Sequence, residues 1–268
     1  MEKKFKLGVI GAGFMATAIV KGVISSKIIL PENIIMSDLN TVALDKVMEL
    51  GVNTTVDNSY LANNSEYVLF AVKPQSLSDV FISLNNAKFN KVISIMAGIK
   101  KNKISSKFKD VSVARCMPNT PCSIGCGAIG VDLTDYTNEN DKNFIKSILS
   151  CLGEVVEVPE SKLNAVTGIS GSSPAYFYLF LKGIIDAGVK AGLTEDESKK
   201  LATATMVGSG KMVQKNTEKT LDELIKAVCS KGGTTIEAIN VYQSKNLGEI
   251  TEKAVDACIK RSFELENL

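Results

Sequence analysis

An apolar run, Phe5-Lys6-Leu7-Gly8-Val9-Ile10, leads directly into Gly11-Ala12-Gly13-Phe14-Met15-Ala16, and a helix-compatible stretch from Ala18 to Val23 follows. Glycine at position 11 permits a sharp chain reversal, and glycine at position 13 lets the main chain approach a pyrophosphate. The small Ala16 lets the new helix sit close on its strand, with its N-terminal N–H groups aimed at phosphates. An acidic residue, Asp38, closes the next apolar segment about 20 residues on, the spacing of a dinucleotide-binding βαβ unit. The chain is therefore expected to open by binding a dinucleotide, with Gly11, Gly13, Phe14 and Met15 at the nucleotide.

The segment Asn33-Ile34-Ile35-Met36-Ser37-Asp38 reads as a short buried parallel strand ending at the carboxylate. From there Asp38 can accept from both ribose hydroxyls of an adenosine, and a carboxylate in that place repels a 2′-phosphate. Taken alone it favours NADH over NADPH. Asp38 can also be a polar turn residue, in which case Ser37, Asn40 and Thr41 are free to hold a phosphate. The sequence thus leaves NADPH or NADH open.

The 268 residues, 45% of them hydrophobic, are enough for two cores. With 31 basic and 29 acidic residues the formal charge is only +2, which argues against a nucleic-acid partner. Six cysteines lack paired metal spacing and no histidine completes a zinc site, so no metal is expected. Reduced thiols in a cytoplasm fit this usage. The start, Met1-Glu2-Lys3-Lys4-Phe5, has too short an apolar continuation for a secretion signal and reads as the approach to a strand. The longest apolar stretch, Pro174 to Leu193, carries Lys182, Asp186 and Lys190. It reads as a buried helix and not as a membrane span.

Up to about residue 160, short β-branched runs alternate with amphipathic stretches, the pattern of an α/β doubly wound parallel sheet. Strands are expected at 7–10, 34–37, 67–71, 91–95, 111–115 and 155–158, with 125–131 extending the sheet and helices at 44–50 and 77–84. Residues 1–160 form this dinucleotide-binding domain, and 161–268 form a C-terminal all-helical domain for dimerisation and substrate. In the latter, Ser172 or Ser173 can cap a helix with Pro174 in its first position. Thr194 to Glu197 and Thr234 to Glu237 have capping-box spacing, Ala202, Ala204, Gly208 and Gly210 give one helix a small-residue face, and a last helix runs from Glu249 to about Glu264. The helix after Pro174 is apolar around most of its circumference and needs cover on several sides. A homodimer through this half is expected.

Three segments are candidates for chemistry. Ala71-Val72-Lys73 ends a parallel strand and should border the cofactor. Arg115 to Pro121 brackets polar residues with two prolines, which makes a rigid loop at another strand end. Ser230-Lys231-Gly232-Gly233-Thr234-Thr235 combines glycines that admit close approach with a helix start whose N–H groups can receive a carboxylate or phosphate. Without histidine the commonest general acid is missing. Hydride transfer to a substrate that already holds its proton, such as a protonated cyclic imine, suits such a chain. A β-hydroxyacid dehydrogenase would need a lysine acid/base that the Thr167 to Pro174 segment does not offer; a non-catalytic dinucleotide sensor is the other alternative.

The glycine turn, Ala71-Val72-Lys73-Pro74-Gln75, Met117-Pro118-Asn119-Thr120-Pro121, Ser170-Gly171-Ser172 leading to Pro174-Ala175-Tyr176, Asp186-Ala187-Gly188-Val189, and Gly232-Gly233-Thr234-Thr235-Ile236 together resemble the pyrroline-5-carboxylate reductases, in the family's order and over nearly the whole chain. The resemblance implies an N-terminal Rossmann domain, a helical domain that interleaves in a dimer, and an active site between them with parts from both subunits. Larger rings of dimers occur in such enzymes. It implies NAD(P)H-dependent reduction of 1-pyrroline-5-carboxylate to L-proline, the last step of proline biosynthesis. Asn58, Val72, Lys73 and Ala97 would border the cofactor, with Met117, Pro118 and Asn119 close to the nicotinamide. Ser230 and Gly232 to Thr235 would hold the substrate carboxylate, and the Thr235 hydroxyl would bond the ring nitrogen as the catalytic contact. The chain departs from the family pattern at Ser173, in place of glycine, at Lys182, where glutamate is common, and at Lys231, in place of proline.

Overall fold

A computed structural model describes residues 3–266; Met1 and Glu2 of the expected strand approach lie outside the described residues. The chain forms two compact units, one built from the residues up to Ser172 together with the stretch from Cys258, the other from Ser173 to Ala257.

The first unit carries an eight-stranded sheet made of β1 (Phe5–Ile10), β2 (Ile34–Ser37), β3 (Asn53–Thr55), β4 (Ser65–Phe70), β5 (Lys91–Ser94), β6 (Ser112–Met117), β7 (Gly127–Asp132) and β8 (Gly153–Glu157), in the order β3-β2-β1-β4-β5-β6-β7-β8. Its helices are α1 (Phe14–Ser25), α2 (Thr41–Met48), α3 (Asn58–Asn64), α4 (Leu77–Ser83), α5 (Lys101–Ser105), α6 (Glu139–Ser150) and α7 (Leu163–Val166). The strands are continuous apolar runs because both faces are covered. Ile34 and Met36 of β2, with Tyr67 and Leu69 of β4, enter one core with Ile19 and Val23 of α1. Ile35, Val68 and Phe70 point to the opposite core with Leu61, Val80 and Leu84.

The sheet departs from the all-parallel expectation at one edge. β6 pairs antiparallel with β7, and β8 is parallel to β7. Between β6 and β7 lies only a loop with the short 3-10 turn Thr120–Ile124. A parallel return needs a crossover of about a dozen residues or more, usually helical, so this connection can only reverse the chain. α6 supplies such a crossover before β8.

The second unit contains α8 (Ser173–Lys190), α9 (Glu195–Lys215), α10 (Leu221–Val228), α11 (Thr234–Ser244) and the first part of α12 (Leu247–Glu266). Thr194 accepts from the Glu197 N–H while Glu197 reaches back to the Thr194 N–H, the expected capping box, and Thr220 with Glu223 makes a second. The start of α8 differs from expectation. The chain enters it through a π turn, Thr167–Gly171, and Ser172 at φ −97° and ψ −19°, so Ser173 becomes the first helical residue and Pro174 the second. Gly188 lets α9 approach α8 closely, since a Cβ there would stand 2.7 Å from the buried Ser198 hydroxyl. Of the small-residue face of α9, Ala202 is buried while Ala204, Gly208 and Gly210 are exposed. Among the described residues no helix is long and apolar enough to cross a membrane.

Candidate active site

The carboxyl ends of β1, β2, β4, β5 and β6 share one edge of the sheet because these strands run parallel. The strand order reverses between β1 and β4, and open α/β sheets bind ligands in the crevice outside such a switch point. The glycine turn sits there. Gly11 has φ +104°, a conformation glycine adopts without the steric cost other residues incur. A Cβ on it would stand 2.7 Å from the Ala71 carbonyl oxygen and 3.2 Å from the Val72 side chain. Its N–H donates to the Ser37 carbonyl at 2.7 Å. The ends of β1, β2 and β4 are thereby drawn together, and with them Gly11, Ser37, Ala71 and Val72.

Gly13 is the opposite case, with open space where its Cβ would be. It precedes α1 in extended conformation, and no side chain takes the N–H groups at the start of that helix. Unpaired donors at a helix start, behind a glycine that leaves room in front of them, favour an anion. This donor set fits a dinucleotide pyrophosphate. Phe14 is exposed and Met15 partly so, while Ala16 is buried against the core as the motif requires.

Asp38 follows β2 directly. Its Oδ2 accepts from the Ala12 N–H at 2.8 Å and its Oδ1 from the Asn40 N–H at 2.9 Å. Ser37 is fully buried and donates to Asn58 Oδ1 at 2.6 Å, and Asn58 Nδ2 in turn donates to the Ser83 hydroxyl at 2.9 Å. Asn58 thus braces the turn from behind. Lys73 is exposed just before the one-turn helix Pro74–Ser76, and Ala97 is exposed beyond β5.

The loop after β6 is rigid for reasons beyond its prolines. Asn119 is buried, donates to the Ser170 carbonyl at 3.1 Å and accepts from the Ala128 N–H at 3.0 Å. Its side chain is committed to holding Pro118 and Met117 in place. Gly171 leaves room for Met117, whose Cε would lie 2.8 Å from a Cβ there. Below the loop, Arg115 donates to Glu160 at 3.1 Å and to Glu266 at 2.8 Å, both partners remote in sequence. Glu160 also accepts from the Lys101 N–H at 2.7 Å, and Lys101 Nζ reaches Asp132 at 2.6 Å and Asp135 at 2.5 Å. Burial alone would raise the Asp132 carboxyl; hydrogen bonds from Lys101 and Thr134 outweigh it and hold the group below its usual range. Burial pushes the Cys116 thiol, on the same strand, well above its ordinary value, so it is no nucleophile. The bracing residues Ser83, Glu160 and Glu266 carry no local motif by which the sequence could have shown them.

In the second unit, the Gly233 N–H donates to the Ser230 carbonyl at 3.0 Å and Gly232 takes φ +72°. A Cβ on Gly233 would stand 2.3 Å from the Ser230 hydroxyl. The capping box expected at Thr234 and Glu237 is not made. Gly233, in extended conformation, occupies the cap position, Thr234 becomes the first helical residue, and no side chain caps α11. Its leading N–H groups are therefore left as those of α1 are. Thr235 is half-buried; Ser230, Lys231 and Thr234 are exposed. Lys182 forms an exposed ion pair with Asp186, one turn along α8.

Residues 160–265 match the family described as pyrroline-5-carboxylate reductase dimerisation, and residues 6–98 match NADP oxidoreductase coenzyme F420-dependent. A pyrroline-5-carboxylate reductase from Synechocystis is 38% identical over 97% of this chain and 98% of its own length. The solved structure of a Coxiella burnetii pyrroline-5-carboxylate reductase has 33% identity and a TM-score of 0.89, covering 98% of this chain and 99% of that one. A Plasmodium falciparum pyrroline carboxylate reductase with NADP bound superposes with a TM-score of 0.85 at 29% identity, covering 99% of this chain and all of its own. A donor set built for a dinucleotide, a helical segment matching a named dimerisation domain and end-to-end similarity converge: the chain belongs to the pyrroline-5-carboxylate reductases, a family of NAD(P)-dependent oxidoreductases.

Proposed function

We propose a division of labour between two uncapped helix starts in the reduction of 1-pyrroline-5-carboxylate to L-proline, the reaction of this family. The start of α1 binds the nucleotide pyrophosphate through its N–H groups, with Gly11 and Gly13 admitting it, Asp38 at the ribose, and Asn58, Ala71, Val72, Lys73 and Ala97 along the crevice. Met117 and Pro118, held by Asn119, orient the nicotinamide ring. The start of α11 and the Ser230 to Gly233 turn grip the substrate carboxylate through main-chain donors. The Thr235 hydroxyl holds the ring nitrogen, which fixes the face that C5 presents. When bound, the reduced nicotinamide supplies the hydride.

No protein group has to deliver a proton if the imine arrives protonated, which suits a chain without histidine. Its residues then act by alignment, an effect able to remove several kcal/mol from a barrier. The observation that carries this reading is the Gly11 to Gly13 cradle, where a Cβ on Gly11 would strike Ala71 while Gly13 faces open space. Large apolar side chains exposed on α8, among them Phe177, Tyr178 and Leu179, supply the homodimer contact. Six cysteines without a disulfide are in keeping with a reducing, cytoplasmic setting.

The test is the fall in nicotinamide absorbance when purified protein meets pyrroline-5-carboxylate and NADH or NADPH, with proline identified as product. Oxidation of cofactor with formation of proline is expected; no proline with either cofactor overturns the assignment.

A further inference from the structure

The corner where the adenosine ribose would lie is stocked with acceptors and stripped of donors. The Ala12 N–H and the Asn40 N–H are both spent on the Asp38 carboxylate, at 2.8 and 2.9 Å. The Val42 and Ala43 N–H groups, which open α2 and face the same corner, are spent on Asn40 Oδ1 at 3.1 and 3.3 Å. The Ser37 hydroxyl is buried and spent on Asn58. The alternative that the sequence leaves open, an acid turned away while Ser37 and Asn40 hold a phosphate, is thus closed by geometry. Two backbone bonds pin the carboxylate beside the glycine turn, and its remaining lone pairs suit the two hydroxyls of an unmodified ribose.

A 2′-phosphate would bring a second anion against this fixed one and find few N–H donors to offset it. Two cations line the neighbouring groove between α1 and α2, Lys21 and Lys46. Lys46 stands about 9 Å along the α2 axis from Asn40 at 1.5 Å per residue, so its charge softens the repulsion without supplying a hydrogen-bonded phosphate seat. Resting on the nucleotide site proposed above, we propose that Asp38 makes this chain select NADH over NADPH, through acceptance from the ribose diol and repulsion of the 2′-phosphate.

Binding of each reduced nucleotide, without substrate, can be followed by its fluorescence enhancement. At low salt NADH should bind about tenfold or more tightly than NADPH, a like-charge penalty that added salt reduces. Asp38→Asn keeps one oxygen acceptor for the turn and removes the charge. It should improve NADPH binding several-fold relative to NADH, and the turnover ratio for the two cofactors should move in parallel. Equal or tighter NADPH binding by the unaltered protein, or an unchanged ratio in Asp38→Asn, overturns the proposal and leaves the nucleotide site standing. Binding of neither nucleotide overturns both.

Discussion

Leu7, Val9, Ile34 and Met36 of the sheet-bearing unit have no solvent exposure at all, whereas Tyr178 and Leu179 of the helical unit keep 62% and 73% of theirs. The first unit covers its apolar residues with its own helices on both faces of one sheet. The second does not, and its largest exposed side chains continue onto α9, α11 and α12 as Val207, Val241 and Ile250. An apolar side chain of this size gains about 1.5–3 kcal/mol on full burial, so a second copy offers this unit what the sheet gives the first. One half of the chain folds upon itself; the other half is shaped for company. The same contrast recurs at helix starts, where Thr194 and Thr220 cap for stability while Gly13 and Gly233 leave donors open.

The most severe challenge to this contrast is to charge the uncovered face. Tyr178→Glu combined with Leu179→Glu should convert the dimer to monomer in light scattering, and an unchanged dimer would break the comparison. Next in size, Arg115→Ala leaves Glu266 and Glu160 without their cation inside the self-sufficient unit. Breaking a buried pair costs about 3–5 kcal/mol, read as a lower urea midpoint, and a loss under about 1 kcal/mol would show the network to be dispensable. Thr235→Ala should lower turnover by roughly one to two orders of magnitude, as removal of one transition-state hydrogen bond does, with thermal unfolding unmoved. Full activity in that variant removes the role given to its hydroxyl.

Acid provides a milder test. In Asp132 and Glu266 burial pushes the carboxyl up, but Lys101 and Thr134 for the first, and Asn164 and Arg115 for the second, hold it below the usual range. A depressed folded-state pKa contributes stability above the unfolded value of about 4 and loses it as pH falls through the lower folded one. Melting temperature should therefore decline below about pH 4, less steeply in Asp132→Asn, measured against its own value at neutral pH. The smallest expected effect separates the helix starts: Thr220→Ala should cost about 1 kcal/mol as a lost cap, while Thr234→Ala leaves thermal stability nearly unchanged. Equal losses would mean that Thr234 caps after all.

Much of the sheet is legible because a buried strand must be apolar along its length. β1, β2, β4 and β5 lie within two residues of where the runs of Leu7 to Ile10, Ile34 to Ser37, Tyr67 to Ala71 and Lys91 to Ile95 place them. β3 shows no such signal. Asn53, Thr54 and Thr55 are polar and half-buried, and they form a strand only because β2 offers an edge to pair with. Of the candidate site, the glycine turn and the Gly232-Gly233 entry are readable, since both depend on backbone freedom that one residue type supplies. The braces behind them are not. Ser83 behind Asn58, Ser170 behind Asn119 and Glu266 behind Arg115 stand far from their partners along the chain, and a hydrogen bond between distant residues leaves no periodicity to read.

The sequence by itself determined the local matters: strand or helix, the glycines that reverse the chain, the threonine that caps α9, and the family to which the motifs belong. Tertiary structure decided what depends on who stands next to whom. It reversed β7 because its connection is too short to cross over, took the cap of α11 away from Thr234, and fixed Asp38 on the backbone of the glycine turn. Propensity and pattern act within a few residues, whereas direction, register and the spending of donors are settled only when separate segments compete for the same hydrogen bonds and the same space.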